Sequence, residues 1–234
     1  ILYKGLGVEG YIDIQKVKQC RRESDPEWWR GRRVWVGLDL SQSDDNTAVA
    51  MVAEEDGVIY GRVMGFLPSD KMEIKSAKEK VDYKRAEAAG ECMACGDEVI
   101  DYSVVEQYAL ALEETFGVDV QQVGYDRWNA LSTIQKLEAA GITCVEIKQH
   151  SSVLHMPTKL LKEAVLSGTF QYDSNRLLEI NFQNARCTED TNLNKYVNKK
   201  SAGKVDMVVA LINAIYLLQQ DMLFGDGGLV VQVC

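Results

Sequence analysis

Three aspartates stand where the chain could gather negative charge. Asp39 lies near the end of the apolar run VWVGLDL (34–40), Asp126 closes DVQQVGYD (119–126), and Asp206 immediately precedes MVVALINAIYLL (207–218). An ionised carboxylate among apolar neighbours is costly, and two or three together repel, unless cations or hydrogen bonds compensate. Oxygen-only clusters suit hard divalent ions such as Mg²⁺ or Mn²⁺ better than zinc. With two ions about 3.5–4 Å apart, one activates a water while the other stabilises the leaving oxygen of a phosphodiester. Metal-dependent phosphoryl transfer is therefore the chemistry such a trio would perform. Each acid also has a plainer reading: Asp39 as the start of a loop, Asp126 as the cap of a helix beginning at Arg127 or Trp128, and Asp206 as a first-turn acid favoured by the helix dipole. Asp44 and Asp45 read as a solvated turn.

The elements around the acids decide whether they can meet. VWVGLDL, TAVAMVA (47–53) and VIYGRVMGFL (58–67) are β-rich, and Asp56-Gly57 favours a hairpin between the last two, so an antiparallel three-strand meander is expected. The first run is apolar at nearly every position, which marks a central strand covered on both faces. A helical stretch follows over about 69–89, then a loop and a helix over about 103–116. DVQQVGYD and ITCVEIK (142–148) then alternate with helices ending at Gly141 and Gly168, the second with Pro157 in its first turn. Such alternation implies crossovers and parallel neighbours. The fold class is α/β, a central mixed sheet flanked by helices. If the first strand is central, the strand ending at Asp126 lies beside it and parallel, and the apolar final helix brings Asp206 to the same edge. Residues 182–201 suggest a protruding hairpin, and no internal repeat is visible.

The chain has 234 residues, 26 Lys and Arg against 35 Asp and Glu, and a formal charge of −9, which argues against non-specific attraction to nucleic acid but leaves room for a local basic groove. One domain is the prior at this length. Six scattered cysteines suit a reducing cytoplasm, with reduced thiols packing as small hydrophobes. The apolar run 207–218 falls short of the ~20 residues that span a bilayer and reads as a buried helix, so no membrane partner is expected. The chain starts at Ile1, not Met, and an excised domain of a longer protein is expected.

Lesser features each carry a plain alternative. Cys92 and Cys95 form a CxxC, but with no second pair in reach they read as two free thiols in a turn. His150 and His155 read as a loop leading into a helix. Lys195, Lys199, Lys200 and Lys204 approach the third acid, while Arg127, Lys148 and Lys159 lie in segments near the expected edge; all could contact DNA phosphates, or line a solvated surface. Lys204 could alternatively steer the scissile phosphate. Ser41 could hold a metal-bound water or merely make a turn.

GLDLSQSDDNTAVAMV (37–52), VGYDRWNA (123–130) and KKSAGKVDMVVALINAIYLL (199–218), in this order, resemble the nuclease domain of tailed-bacteriophage large terminase subunits. Softer matches fall at KVDYKRAEAAG (80–90), EVIDYSVV (98–105) and NFQNARC (181–187). The resemblance implies a ribonuclease-H-like fold. It also implies catalytic, metal-binding roles for Asp39, Asp126 and Asp206 and cutting of concatemeric double-stranded DNA; the leading expectation is two Mg²⁺ or Mn²⁺ ions and in-line attack of water, leaving a 5′ phosphate and a 3′ hydroxyl. The implied partners are a terminase ATPase domain, the small terminase subunit and the portal of the procapsid, in the cytoplasm of the bacterial host. No GxxxxGK[ST] loop occurs, which fits an isolated nuclease domain: residues 1–33 as the lead-in from a missing ATPase, 34–222 as the nuclease, 223–234 as a loose tail. Two other functions remain open. GLDLSQSDDNT is faintly similar to the nucleotide-binding turn of actin-like ATPases and sugar kinases, although the Gly and Thr of that turn are missing and a second lobe would not fit. A non-catalytic DNA or procapsid docking module on the same fold is the other.

Overall fold

The computed structural model describes residues 9–40, 46–127, 130–199 and 203–225. The chain enters through β1 (Glu9–Gly10), α1 (Ile14–Gln19) and β2 (Arg21–Arg22), then builds the meander β3 (Arg33–Asp39), β4 (Thr47–Glu55) and β5 (Val58–Leu67). α2 (Met72–Glu79), α3 (Tyr83–Ala88) and the short β6 (Cys92–Ala94) lead to α4 (Tyr102–Leu110) and α5 (Leu112–Phe116). The alternating section is β7 (Asp119–Tyr125), α6 (Leu131–Ala139), β8 (Cys144–Glu146), α7 (Ser151–Ser167), β9 (Phe170–Asp173) and α8 (Arg176–Asn184). β10 (Arg186–Glu189) and β11 (Lys195–Val197) precede the final helix α9 (Asp206–Phe224).

The main sheet runs β2-β9-β5-β4-β3-β7-β8, with β6 on the β5 edge. β3–β4 and β4–β5 are antiparallel, whereas β7 lies parallel to β3 and β8 parallel to β7. The expected meander and the parallel neighbour of β3 are thus both present. β3 is buried from Val34 to Asp39 because both of its faces are covered. Val34, Val36 and Leu38 pack in one core with residues of α4, α5 and α6, while Trp35 joins the other with α7, α8 and α9. The strand alternation puts Gly37 and Asp39 on the Trp35 face, under α9.

α9 has the length and composition of a membrane-crossing helix, yet two thirds of its most apolar stretch is buried against the sheet. Val208, Ala210, Leu211, Ala214 and Ile215 are fully enclosed, and burial of each large aliphatic side chain contributes roughly 1.5–3 kcal/mol.

Several elements differ from the sequence reading. The 69–89 helix is broken into α2 and α3 at Lys80, which adopts the left-handed conformation, and the 103–116 helix is divided into α4 and α5. Pro157 is interior to α7, not in its first turn, because the helix starts six residues earlier at Ser151 with the His150 side chain accepting from the Ser152 amide. Phe182 belongs to α8, and the hairpin is the shorter β10–β11 pair, joined by β1 into a separate three-stranded sheet. β9 and α8 had no expected counterpart. The described part of the first 33 residues packs into this fold: β2 pairs with β9, and Tyr11, Val17 and Trp29 are buried. Asp173 locks that segment down, accepting from Trp29 Nε1 at 2.9 Å, Arg22 Nε at 2.7 Å and Arg62 Nη1 at 3.0 Å.

Candidate active site

Asp39 and Asp126 reach one place by strand register. Gly37 pairs with Gly124 across the parallel β3–β7 ladder, and each acid follows its glycine by two residues, so both emerge at the same sheet edge. Both glycines face α9. A Cβ on Gly37 would stand 2.0 Å from the Ala210 carbonyl oxygen and 2.5 Å from the Ala214 nitrogen, and one on Gly124 would stand 2.5 Å from Ile147 and 3.0 Å from Leu217. By the same alternation the two carboxylates point to the helix side.

α9 delivers the third acid. Arg33, at the start of β3, meets Asp221 near the end of the helix at 3.4 Å, so α9 runs antiparallel to β3. Ala210 packs at Gly37, and Asp206 lies one turn earlier, toward the Asp39 end. Asn213 ties the helix to the strand by donating to the Leu38 carbonyl at 2.9 Å and accepting from Gln149 at 3.3 Å. Asn181 of α8 accepts the Met207 amide at 3.1 Å, satisfying a helix-terminal donor that Val205 has no side-chain oxygen to receive. Asp39 and Asp206 are buried, and Asp126 is only partly exposed.

A cation already sits between two of the acids. Lys199 Nζ lies 2.5 Å from Asp39 Oδ1 and 3.5 Å from Asp126 Oδ2. Desolvation opposes the charge on Lys199, but attraction to Asp39, then Asp126 and Asp206, outweighs it and holds the ammonium above the ordinary lysine range. Behind Asp206 lies a second polar group. Buried Lys75 reaches Glu79 at 3.0 Å, Lys204 approaches the same carboxylate oxygen at 3.9 Å, and Tyr83 donates to Glu79 while accepting from Asn46 at 2.9 Å. Burial, then Glu79, pushes the Tyr83 hydroxyl far above its usual value. Of this group only Lys204 stands out in the sequence; the visible signal of the rest is the spacing of Lys75, Glu79 and Tyr83 at successive intervals of four.

The donors suit a hard divalent ion: Asp39 and Asp126 direct carboxylate oxygens at a common cation, and Asp206 lies within electrostatic reach of it. As the side chains stand, no three Asp, Glu, His or Cys among the described residues close around one point. Asp126 does not cap α6, which begins five residues later after Ala130. Cys92 and Cys95 are buried free thiols, and burial pushes the Cys92 thiol up to about 12.

The other basic residues separate. Arg127 and Lys148 are exposed, next to Asp126 and just beyond β8 respectively. Lys159 faces Glu163 at 3.8 Å on α7, and Lys195 is held by Glu9 at 3.0 Å and Glu189 at 3.8 Å. Lys200, Ser41, Asp44, Asp45 and Trp128 lie outside the described residues.

A central sheet with an antiparallel meander and parallel strands beyond it, flanked by helices, is the ribonuclease-H-like architecture of solved terminase nucleases. The family described as terminase large subunit, endonuclease domain, matches residues 5–221, and the chain belongs to it. The curated large terminase subunit of Enterobacteria phage HK97 is 24% identical over 189 residues, which cover 79% of this chain and 37% of that relative. The chain therefore spans little more than a third of that protein. The crystal structure of the HK97 large terminase superposes with a TM-score of 0.81 at 22% identity, covering 90% of this chain and 44% of that one. The large terminase nuclease of thermophilic phage G20c with bound magnesium gives 0.51 at 16% identity, covering 79% and 80%.

Proposed function

We propose that this domain is a divalent-metal-dependent endodeoxyribonuclease that cuts concatemeric double-stranded DNA during viral genome packaging. Asp39, Asp126 and Asp206 are its catalytic and metal-holding residues. The observation that carries this reading is the joint grip of Asp39 and Asp126 on one cation at the sheet edge. The magnesium in the related G20c nuclease supports divalent chemistry on this fold.

In this reading Asp39 would be the central metal-holding residue, with Asp126 and Asp206 as its partners. Bound there, two Mg²⁺ or Mn²⁺ ions would supply the Lewis acidity for in-line attack of water on phosphorus and for departure of the 3′ oxygen. The chain holds the geometry. The β3–β7 register sets the spacing of two acids, and Asn213 and Asn181 fix the helix that carries the third. Exposed Arg127 and Lys148 at the same edge are placed to position the DNA backbone without reading sequence. The partners that follow are an ATPase domain, the small terminase subunit and the portal, in the cytoplasm of the bacterial host.

The test is nicking of supercoiled plasmid by the purified chain with Mg²⁺ or Mn²⁺. Nicking abolished by chelator and by Asp126→Ala is expected. Undiminished nicking by that variant would overturn the site assignment.

A further inference from the structure

Lys199 places its ammonium on two of the three acids, and it does so from two residues beyond the end of β11. A divalent ion bound to Asp39 Oδ1 would sit about 2.1 Å from that oxygen. With Lys199 Nζ 2.5 Å from the same atom, the two cations would stand within about 4.6 Å of each other. At that separation beside a largely buried carboxylate they repel, so the ion and the ammonium compete for the same charge. The lysine is also built to leave: its side chain is 44% exposed, its stem is flexible, and a compact ammonium is not locked by a bidentate fork as a guanidinium would be.

Resting on the nuclease reading above, we propose that Lys199 is an intrinsic competitor for the metal site, holding the Asp39 and Asp126 oxygens until a divalent ion displaces its ammonium toward solvent. Lys199 stabilises the acid pair against its own repulsion and in the same contact weakens metal loading. Metal affinity is then set by the difference between ion and lysine on the same oxygens. The chain would thus have a threshold metal concentration below which the acids stay closed. The ion pair also ties the β10–β11 hairpin to the catalytic edge, so metal loading releases that tie.

Direct Mn²⁺ binding, by electron paramagnetic resonance or calorimetry on chelator-stripped full chain, tests this without reference to cutting. Wild type, Lys199→Met, Lys199→Arg and Asp126→Asn are compared, with circular dichroism to verify folding. Lys199→Met is expected to bind Mn²⁺ about tenfold more tightly than wild type, and Lys199→Arg to remain within about twofold of wild type or weaker, because its charge still competes. Binding by Lys199→Met equal to or weaker than wild type overturns the competitor role while leaving the nuclease reading intact, provided Asp126→Asn loses affinity. Equal binding by wild type and Asp126→Asn removes the metal site itself and with it both readings. Should Lys199→Met misfold, tighter binding by Lys199→Gln than by Lys199→Arg is the result required, and its absence overturns the proposal.

Discussion

No side chain separates Gly37 of β3 from Ala210 of α9: a Cβ at position 37 would stand 2.0 Å from the Ala210 carbonyl oxygen. That oxygen belongs to helix backbone and cannot rotate aside, so the acid-bearing helix lies as close to the acid-bearing strand as backbone packing allows. Gly37→Ala is expected to push α9 outward and destabilise the fold by about 1–3 kcal/mol or more. Thermal denaturation measures this, and metal-dependent nicking well below the melting temperature should fall as Asp206 moves away. An unchanged melting temperature would contradict the close contact.

Asn213 makes the polar link in the same helix–strand seam. Replacing it with alanine leaves the buried Leu38 carbonyl without the 2.9 Å donor that now meets it. A loss of about 1–3 kcal/mol is expected in urea denaturation. The denaturant slope should stay as in wild type, since the exposed surface on unfolding is unchanged.

The positions of Asp39, Asp126 and Asp206 were legible because they rest on short-range regularities. A fully apolar strand must be central, an α/β alternation must run parallel, and an apolar helix must lie on the sheet. The supports were not. Asn181 and Asn213 act across more than 20 residues of sequence, and although Asn213 stands in a run read as buried, nothing local names the partner of either. Lys199 stood in the sequence as one basic residue of a late cluster, yet it reaches Asp39 and Asp126, while Lys195 turns to Glu9 and Lys204 approaches Glu79. Helix breaks were also hidden, since left-handed Lys80 carries no glycine signal. Asp173, at the end of the unexpected strand β9, carries no local signal of its role, although it anchors Trp29, Arg22 and Arg62.

That anchor yields its own expectation. Asp173→Ala would leave two arginines and an indole facing a buried gap with no carboxylate, at a cost of about 3–5 kcal/mol. Equilibrium denaturation should show the loss, and limited proteolysis should cut first within residues 9–33. Proteolysis that begins elsewhere would contradict the anchoring role.

Asp190 gives the pH dependence. The Ser151 hydroxyl, then the Asn194 backbone and side-chain amides, hold its carboxyl well below the ordinary aspartate range. A group depressed in the folded state adds stability that is present above the unfolded value, near 3.9, and is lost as pH falls through the lower folded value. Asp190→Asn should therefore be less stable than wild type at pH 6, and the gap should narrow steadily as pH falls below about 3.9. A gap that is constant from pH 6 to pH 2 would show that the carboxylate charge plays no part.

The most direct test of the central claim is anomalous scattering from crystals soaked in Mn²⁺. Peaks ligated by Asp39 and Asp126, with Asp206 turned in to join them and Lys199 displaced, are the predicted result. Manganese bound elsewhere, or density that leaves these three carboxylates untouched at saturating metal, would contradict it.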